Sequence, residues 1–286
     1  MGTFEQSFSL VSDPRTLYLT NALKDTIEKV EYTLKHRQGL TCILGDVGLG
    51  KTSILRLLNW KYEDDQDYIT TMIPMPNFQS DFAMLKQICG DFRLGVKRSL
   101  YDQQKLLEAW LIEQYEKGKN VVVFIDEAQK LKPRELELIR LFLNFESFDH
   151  KLIQVVLVGQ LELRDKLLDS KNKALYSRVF APSILAPLTL EETQKMISFR
   201  SKIAEIDNPF TDDAMHTIYQ LTKGVPREIV KICVYSYRQA KGIITSEIIH
   251  KVNESMEVIN EEGRNTSRII QPNAKSKTRK QKAGKQ

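Results

Sequence analysis

The octapeptide Gly45-Asp-Val-Gly-Leu-Gly-Lys51-Thr52 satisfies the pattern G-x-x-x-x-G-K-[ST] at every fixed position. It constrains the fold more than any other feature, because the pattern works only between a buried strand and a helix. Both flanks are present. Leu40-Thr-Cys-Ile-Leu44 is a short apolar run that predicts a buried strand, and a helical stretch opens at Lys51. Glycines in such a turn let successive N–H groups point inward, while the helix N-terminus supplies partial positive charge where a phosphate can sit. Lys51 is then placed to reach the β- and γ-phosphates of a nucleotide, and Thr52 to ligate Mg²⁺ through its hydroxyl. Gly45, Asp46, Val47, Gly48, Leu49, Gly50 and Ser53 complete the expected nucleotide-binding loop.

A second element follows some 75 residues later, where the apolar run Val121-Val-Val-Phe-Ile125 ends in Asp126-Glu127. A buried strand delivers its last side chains to the carboxyl rim of an open sheet, the usual ligand position in α/β folds. Asp126 is suited to hold Mg²⁺ and Glu127 to orient and deprotonate an attacking water. In this order the two elements imply a nucleotide hydrolase, with Lys51 and Glu127 as catalytic residues and Mg²⁺ beside the bound triphosphate.

The rest of the chain supplies the frame. The stripe Leu23, Ile27, Val30, Leu34 predicts a helix from Thr20 to Lys35. Strands are expected over Tyr68–Pro74 and Leu152–Val158, and helices over Phe82–Phe92, Tyr101–Lys117 and Arg134–Phe145. Continuous apolar strands alternating with helices predict a parallel sheet covered on both faces. After Pro187 no further buried strand is expected and helical periodicity continues to about residue 260. Thr189 with Glu192 has capping-box spacing, Thr211-Asp-Asp repeats the start signal, Pro226 opens a third helix and Ser246 a fourth. The expected fold class is α/β with a small all-helical lid. Its divisions are an N-terminal segment (1–22), an α/β domain (23–188), a helical lid (189–260) and a tail (261–286).

With 286 residues, 42% apolar and 28% charged, the chain can bury an adequate core without disulfides or a structural metal. Cys42, Cys89 and Cys233 are odd in number and far apart, which fits a reduced, cytoplasmic protein. No apolar run reaches the 18 or so residues of a membrane span, so no membrane association is expected. The net charge of +5 conceals an asymmetry: eight Lys or Arg and no Asp or Glu follow from Arg264, which leaves the first 263 residues at −3. Such a tail is too poor in apolar residues to order itself and is a candidate nucleic-acid arm.

These residues together resemble the P-loop NTPases of the AAA+ type, and more narrowly the ExeA-like branch that includes type II secretion ATPases and transposition ATPases of the TnsC, TniB and Mu B kind. The resemblance is carried by Phe8–Leu19, the loop at 45–52, Ile125-Asp-Glu-Ala-Gln129, Val155–Leu163, Leu188–Thr193 and Gly224-Val-Pro-Arg227. It implies ATP as the nucleotide, that Gln160 acts as sensor 1, that Arg227 contacts the nucleotide from the lid, and that Arg178 is an arginine finger completing a neighbour's site, with Arg164 nearby as the other candidate. It also implies a homo-oligomer, ring or filament. Because no membrane helix follows the helical part, the transposition relatives fit better than the secretion relatives. The expected function is an ATPase that oligomerises on double-stranded DNA, with Lys97, Arg98, Lys130 and Lys132 as candidate DNA contacts, and that recruits a transposase through a target-selection adaptor. The alternative is a secretion or envelope-assembly ATPase acting on protein partners, and a slow signalling switch is a third.

Overall fold

The computed structural model describes residues 4–240 and 242–256. Five parallel strands form its centre: β1 (Leu40–Leu44), β2 (Tyr68–Ile73), β3 (Asn120–Ile125), β4 (Ile153–Gly159) and β5 (Ser183–Ile184), in the spatial order β2-β3-β4-β1-β5. Leu40 lies opposite Val155, Val121 opposite Ile153 and Tyr68 opposite Asn120, so the strands are in step and their carboxyl ends share one edge. The sheet separates the two features that the sequence pairs, since β4 lies between β1 and β3. The loop after β1, the acids after β3 and Gln160 after β4 nevertheless project from the same rim.

The helices are α1 (Phe4–Ser7), α2 (Asn21–Lys35), α3 (Lys51–Glu63), α4 (Asp81–Asp91), α5 (Leu100–Glu116), α6 (Pro133–Phe142), α7 (Leu161–Leu168), α8 (Lys173–Tyr176), α9 (Leu190–Ile203), α10 (Asp212–Thr222) and α11 (Pro226–Gln239). A further helical stretch covers 246–256. Alternation along the strands divides the core. Ile43, Val122, Phe124, Val156 and Val158 face α2 and α3, while Cys42, Val121, Val123, Ile125, Val155 and Leu157 face α4 to α7. Both faces being covered explains why the strands read as unbroken apolar runs rather than alternating ones.

Start signals in the sequence become hydrogen bonds. Thr20 accepts from the Leu23 N–H at the start of α2, and Thr189 and Glu192 form a reciprocal capping box at α9. Two expectations need correction. The helix expected over Arg134–Phe145 closes at Phe142, because the chain turns back through a bridge between Glu146 and Lys151 to enter β4. The sheet also has a fifth strand, β5, whose two residues are too few to produce a periodicity in the sequence.

A separate core unites the helical part: Met196, Ile197, Phe210, Ala214, Ile218, Ile229, Cys233, Ile244 and Ile249. Phe4 and Phe8, from the N-terminal end, are buried in it, with Phe4 stacked on Tyr237 at 3.7 Å and on Phe8 at 4.2 Å between ring centroids. The chain then crosses back to the sheet domain, where Leu17 packs beside α2 and α3 and Arg56 donates to the carbonyl of Ser12 at 3.2 Å. The first residues are thus a strap between the two cores. The basic tail lies outside the described residues.

Candidate nucleotide-binding site

Gly50 caps α3 in the left-handed region (φ 90°), and Gly48 in the loop has φ 85°, a backbone open to few residues other than glycine. Gly48 is also crowded: a Cβ there would stand 3.0 Å from Val225 and 3.1 Å from Arg227, and its carbonyl accepts the Arg227 N–H at 3.2 Å. The loop and the start of α11 in the lid are therefore in direct contact.

Lys51, the first residue of α3, is only 7% exposed, and its Nζ donates to the carbonyls of Gly45 and Asp46, both at 2.8 Å. Burial pulls its pKa below the usual lysine value, against the pull of the nearby Glu127, Asp126 and Asp46 carboxylates. Thr52 Oγ1 donates to Asp126 Oδ2 at 2.7 Å, and the Glu127 N–H donates to Asp126 Oδ1 at 2.8 Å. Asp126 is 4% exposed, and burial raises its pKa despite those two hydrogen bonds. A buried carboxylate that still resists ionisation after two hydrogen bonds gains from a divalent cation nearby, and a hydroxyl stands beside it as a second oxygen ligand. The residues therefore fit Mg²⁺ bound by Thr52 and Asp126, and the glycine cradle with Lys51 fits a polyphosphate.

Glu127 adopts the left-handed conformation (φ 50°, ψ 35°), which turns its side chain away from the strand direction and into the cleft. Its carboxylate accepts from Gln129 Nε2 at 2.7 Å. Gln160, the residue after β4 and the N-cap of α7, also lines the cleft, as does Arg227 from the lid. Of the expected site residues, Val47, Gly48, Gly50, Lys51, Thr52, Ser53, Glu127, Gln160 and Arg227 share this one cleft. Asp126 lies beneath it. Gly45 and Asp46 serve through their carbonyls, and the Leu49 side chain is buried in the core beneath α3.

The remaining candidates stand elsewhere. One guanidinium nitrogen of Arg178 donates to the Ala174 carbonyl at 2.5 Å and another to Asn144 Oδ1 at 3.4 Å, outside the cleft of its own chain. Lys97 and Arg98 are exposed between α4 and α5. Lys130 donates to Met75 Sδ at 2.9 Å and Lys132 to the Phe78 carbonyl, so these two ammonium groups hold the loop that follows β2.

Sequence reasoning missed one wall. Ser9, Leu10, Val11 and Ser12 line the cleft, as does Arg200 of α9. Arg200 donates to the Ser7 carbonyl at 2.8 Å and the Ser9 carbonyl at 3.4 Å, and burial lowers its pKa to about 10. Nothing local distinguishes Arg200 from Lys202; only the folding back of the N-terminal strap gives it partners.

Comparison with known proteins bears on the fold that carries this site. Residues 34–167 match the family model of the AAA domain. The chain is 31% identical over 255 residues to General secretion pathway protein A of Aeromonas hydrophila, covering 87% of this chain and 46% of that protein. The chain therefore spans less than half the length of that relative. Among solved structures it resembles Cdc6p from Pyrobaculum aerophilum (TM-score 0.58, 19% identity, 81% of this chain and 64% of that one). It also resembles the Aeropyrum pernix ORC1 protein, solved in complex with DNA (TM-score 0.61, 12% identity, 89% and 69%). No helix among the described residues is long and apolar enough to cross a membrane. Residues 34–167 thus match an AAA domain, in a chain with the P-loop AAA+ fold.

Proposed function

We propose that the chain binds ATP between loop and lid, hydrolyses it with Glu127 as general base, and uses its nucleotide state to control self-assembly on double-stranded DNA. The observation that carries the catalytic part is the convergence of Lys51, the Thr52–Asp126 pair, Glu127 and the lid residue Arg227 on one cleft. Lys51 offers its charge to the β- and γ-phosphates. Mg²⁺, when bound, would neutralise charge developing on the phosphates. Glu127 accepts a proton from the attacking water, and Gln160 fixes that water or the γ-phosphate. Arg227 makes nucleotide contact depend on lid position, since its own N–H is bonded to the loop. Arg178 is an arginine finger for a neighbouring copy, a contribution of about 10³ to 10⁵ in rate when such a group acts in trans.

The DNA part is supported by the exposed Lys97 and Arg98, by the likeness to a protein solved in complex with DNA, and by the sequence resemblance to transposition ATPases. That resemblance alone supports a transposase and a target-selection adaptor as the downstream partners. A second reading, an ATPase acting on protein partners in secretion or envelope assembly, is favoured by the 31% identity to General secretion pathway protein A. Measuring ATP turnover with and without duplex DNA at low salt separates the two. Stimulation that weakens steeply as salt rises supports the DNA reading; ATP-loaded protein that ignores duplex DNA at about 50 mM salt refutes it.

A further inference from the structure

Gln129 does more than complete the Asp-Glu-Ala-Gln motif. Its side-chain amide spans two parts of the candidate active site: Nε2 donates to Glu127 Oε2 at 2.7 Å, and Oε1 accepts the backbone N–H of Gln160 at 3.1 Å. One planar group thus connects the end of β3 to the end of β4. An amide suits this place, because it offers a donor to the carboxylate and an acceptor to the N–H from one planar unit at any ordinary pH. Glutamate would lack the donor and set a second negative charge beside Glu127; methionine would fill the space with neither bond.

The surroundings are shaped to keep that amide in place. At Gly159, in β4, a Cβ would stand 2.9 Å from both Gln129 Oε1 and the Leu163 side chain, closer than real Cβ atoms approach other heavy atoms, so glycine leaves the room that the amide occupies. The backbone at Gln129 is held as well, since Lys166 of α7 donates to the Gln129 carbonyl at 2.5 Å and to the Leu131 carbonyl at 2.9 Å. The turn carrying Glu127 is therefore attached to the N-cap of α7 through Gln129 and six residues further on through Lys166. Glu127 itself sits in a left-handed conformation that an isolated chain would leave, so its orientation depends on such external restraint.

We infer that Gln129 is the positioning residue of the hydrolytic step: it fixes the carboxylate of Glu127 for proton abstraction and sets that carboxylate relative to Gln160. The inference rests on the reading of Glu127 as the base. A misplacement of a reacting group by about 1 Å can cost about 10²-fold in rate while leaving ground-state binding alone. The side-chain hydrogen bonds of Gln129 go to Glu127 and Gln160, not to the phosphate loop, so its loss should appear in turnover and not in nucleotide affinity.

The test uses the full chain with Glu127→Gln, Gln129→Met and Gln129→Glu. ATP turnover is measured beside the affinity for a slowly hydrolysed ATP analogue, and thermal melts confirm folding. Support consists of a fall in kcat of about 10- to 100-fold in both Gln129 variants, with analogue affinity within about twofold of wild type. If Glu127→Gln is inactive while Gln129→Met and Gln129→Glu turn over at the wild-type rate, Gln129 has no positioning role although Glu127 is the base. Loss of analogue affinity equal to the loss of turnover also overturns the inference, since it would mark a general disturbance of the cleft. Normal hydrolysis by Glu127→Gln would remove the base assignment and this inference with it.

Discussion

The hydroxyl of Thr52 and the carboxylate of Asp126 meet at 2.7 Å although 74 residues separate them in the chain. This contact fixes the distance between the phosphate loop and the acidic end of β3. Thr52→Val keeps the shape and removes the donor, leaving a buried carboxylate one hydrogen bond short. Such a change costs about 1–3 kcal/mol, so urea unfolding of the nucleotide-free protein should show a loss in that range, and Mg²⁺-dependent turnover should vanish. An unchanged unfolding midpoint would show that the pair adds nothing to stability.

Asp126 also makes a prediction in pH. Burial raises its folded-state pKa above the unfolded value, so its contribution to stability is fully present below the unfolded pKa and is lost as pH rises through the folded one. At neutral pH the metal-free protein therefore holds an ionised carboxylate at a cost. Asp126→Asn should raise Tm at pH 7 in the absence of Mg²⁺, and the difference from wild type should shrink as the pH is lowered towards the carboxylate range. The same variant should lose the added stability that Mg²⁺ and ATP give the wild type. Differential scanning calorimetry over a pH series checks both statements.

Gly48 is expected to accept no side chain. Its φ of 85° and the 3.0 Å and 3.1 Å approaches to Val225 and Arg227 mean that Gly48→Ala strains the loop and pushes against the start of α11. Equilibrium binding of a fluorescent ATP analogue should weaken at least about tenfold, a loss of about 1.4 kcal/mol. Arg227→Ala, which leaves Gly48 intact and keeps the backbone bond, should weaken binding less than Gly48→Ala does.

Arg178 lies outside the cleft of its own chain, where it donates to the Ala174 carbonyl and the Asn144 amide oxygen and its charge favours the ionised forms of Glu137 and Glu146. If it completes a neighbour's site, neither Arg178→Ala nor Lys51→Ala protein should hydrolyse ATP alone, yet a mixture should recover part of the activity. One interface type in the mixture then combines an intact loop with an intact arginine. Absence of recovery at every mixing ratio would exclude action in trans.

Phe4 and Phe8 belong to the lid core although they lie far from it in sequence. Phe8→Ala should cost about 3–5 kcal/mol, as for other large-to-small changes at buried aromatic sites. It should also loosen the strap whose residues Ser9–Ser12 line the cleft. Limited trypsin digestion at Arg15, compared with and without an ATP analogue, reports that loosening. Equal cleavage of wild type and variant would mean that the strap is held by Arg200 and Arg56 without help from the aromatic stack.

Much of this molecule was legible before folding. The loop at 45–52, the strand end at Asp126-Glu127, the helix starts at Thr20, Thr189, Thr211 and Pro226, and a sheet with both faces covered all follow from local chemistry: glycine freedom, capping oxygens and apolar periodicity act over a few residues. The order of the strands, the two-residue β5, the return of the N-terminal strap to the lid and the partners of Arg200 and Gln129 were not legible. Each depends on which distant segments come to lie side by side, and a glutamine or an arginine looks the same in sequence whether its amide or guanidinium meets water or a carbonyl from a remote part of the chain. The sequence alone determined which residues are candidates for a triphosphate site; the tertiary structure decided how they are held, because hydrogen-bond geometry across 31 to 193 residues of chain exists only once the sheet and lid cores have formed.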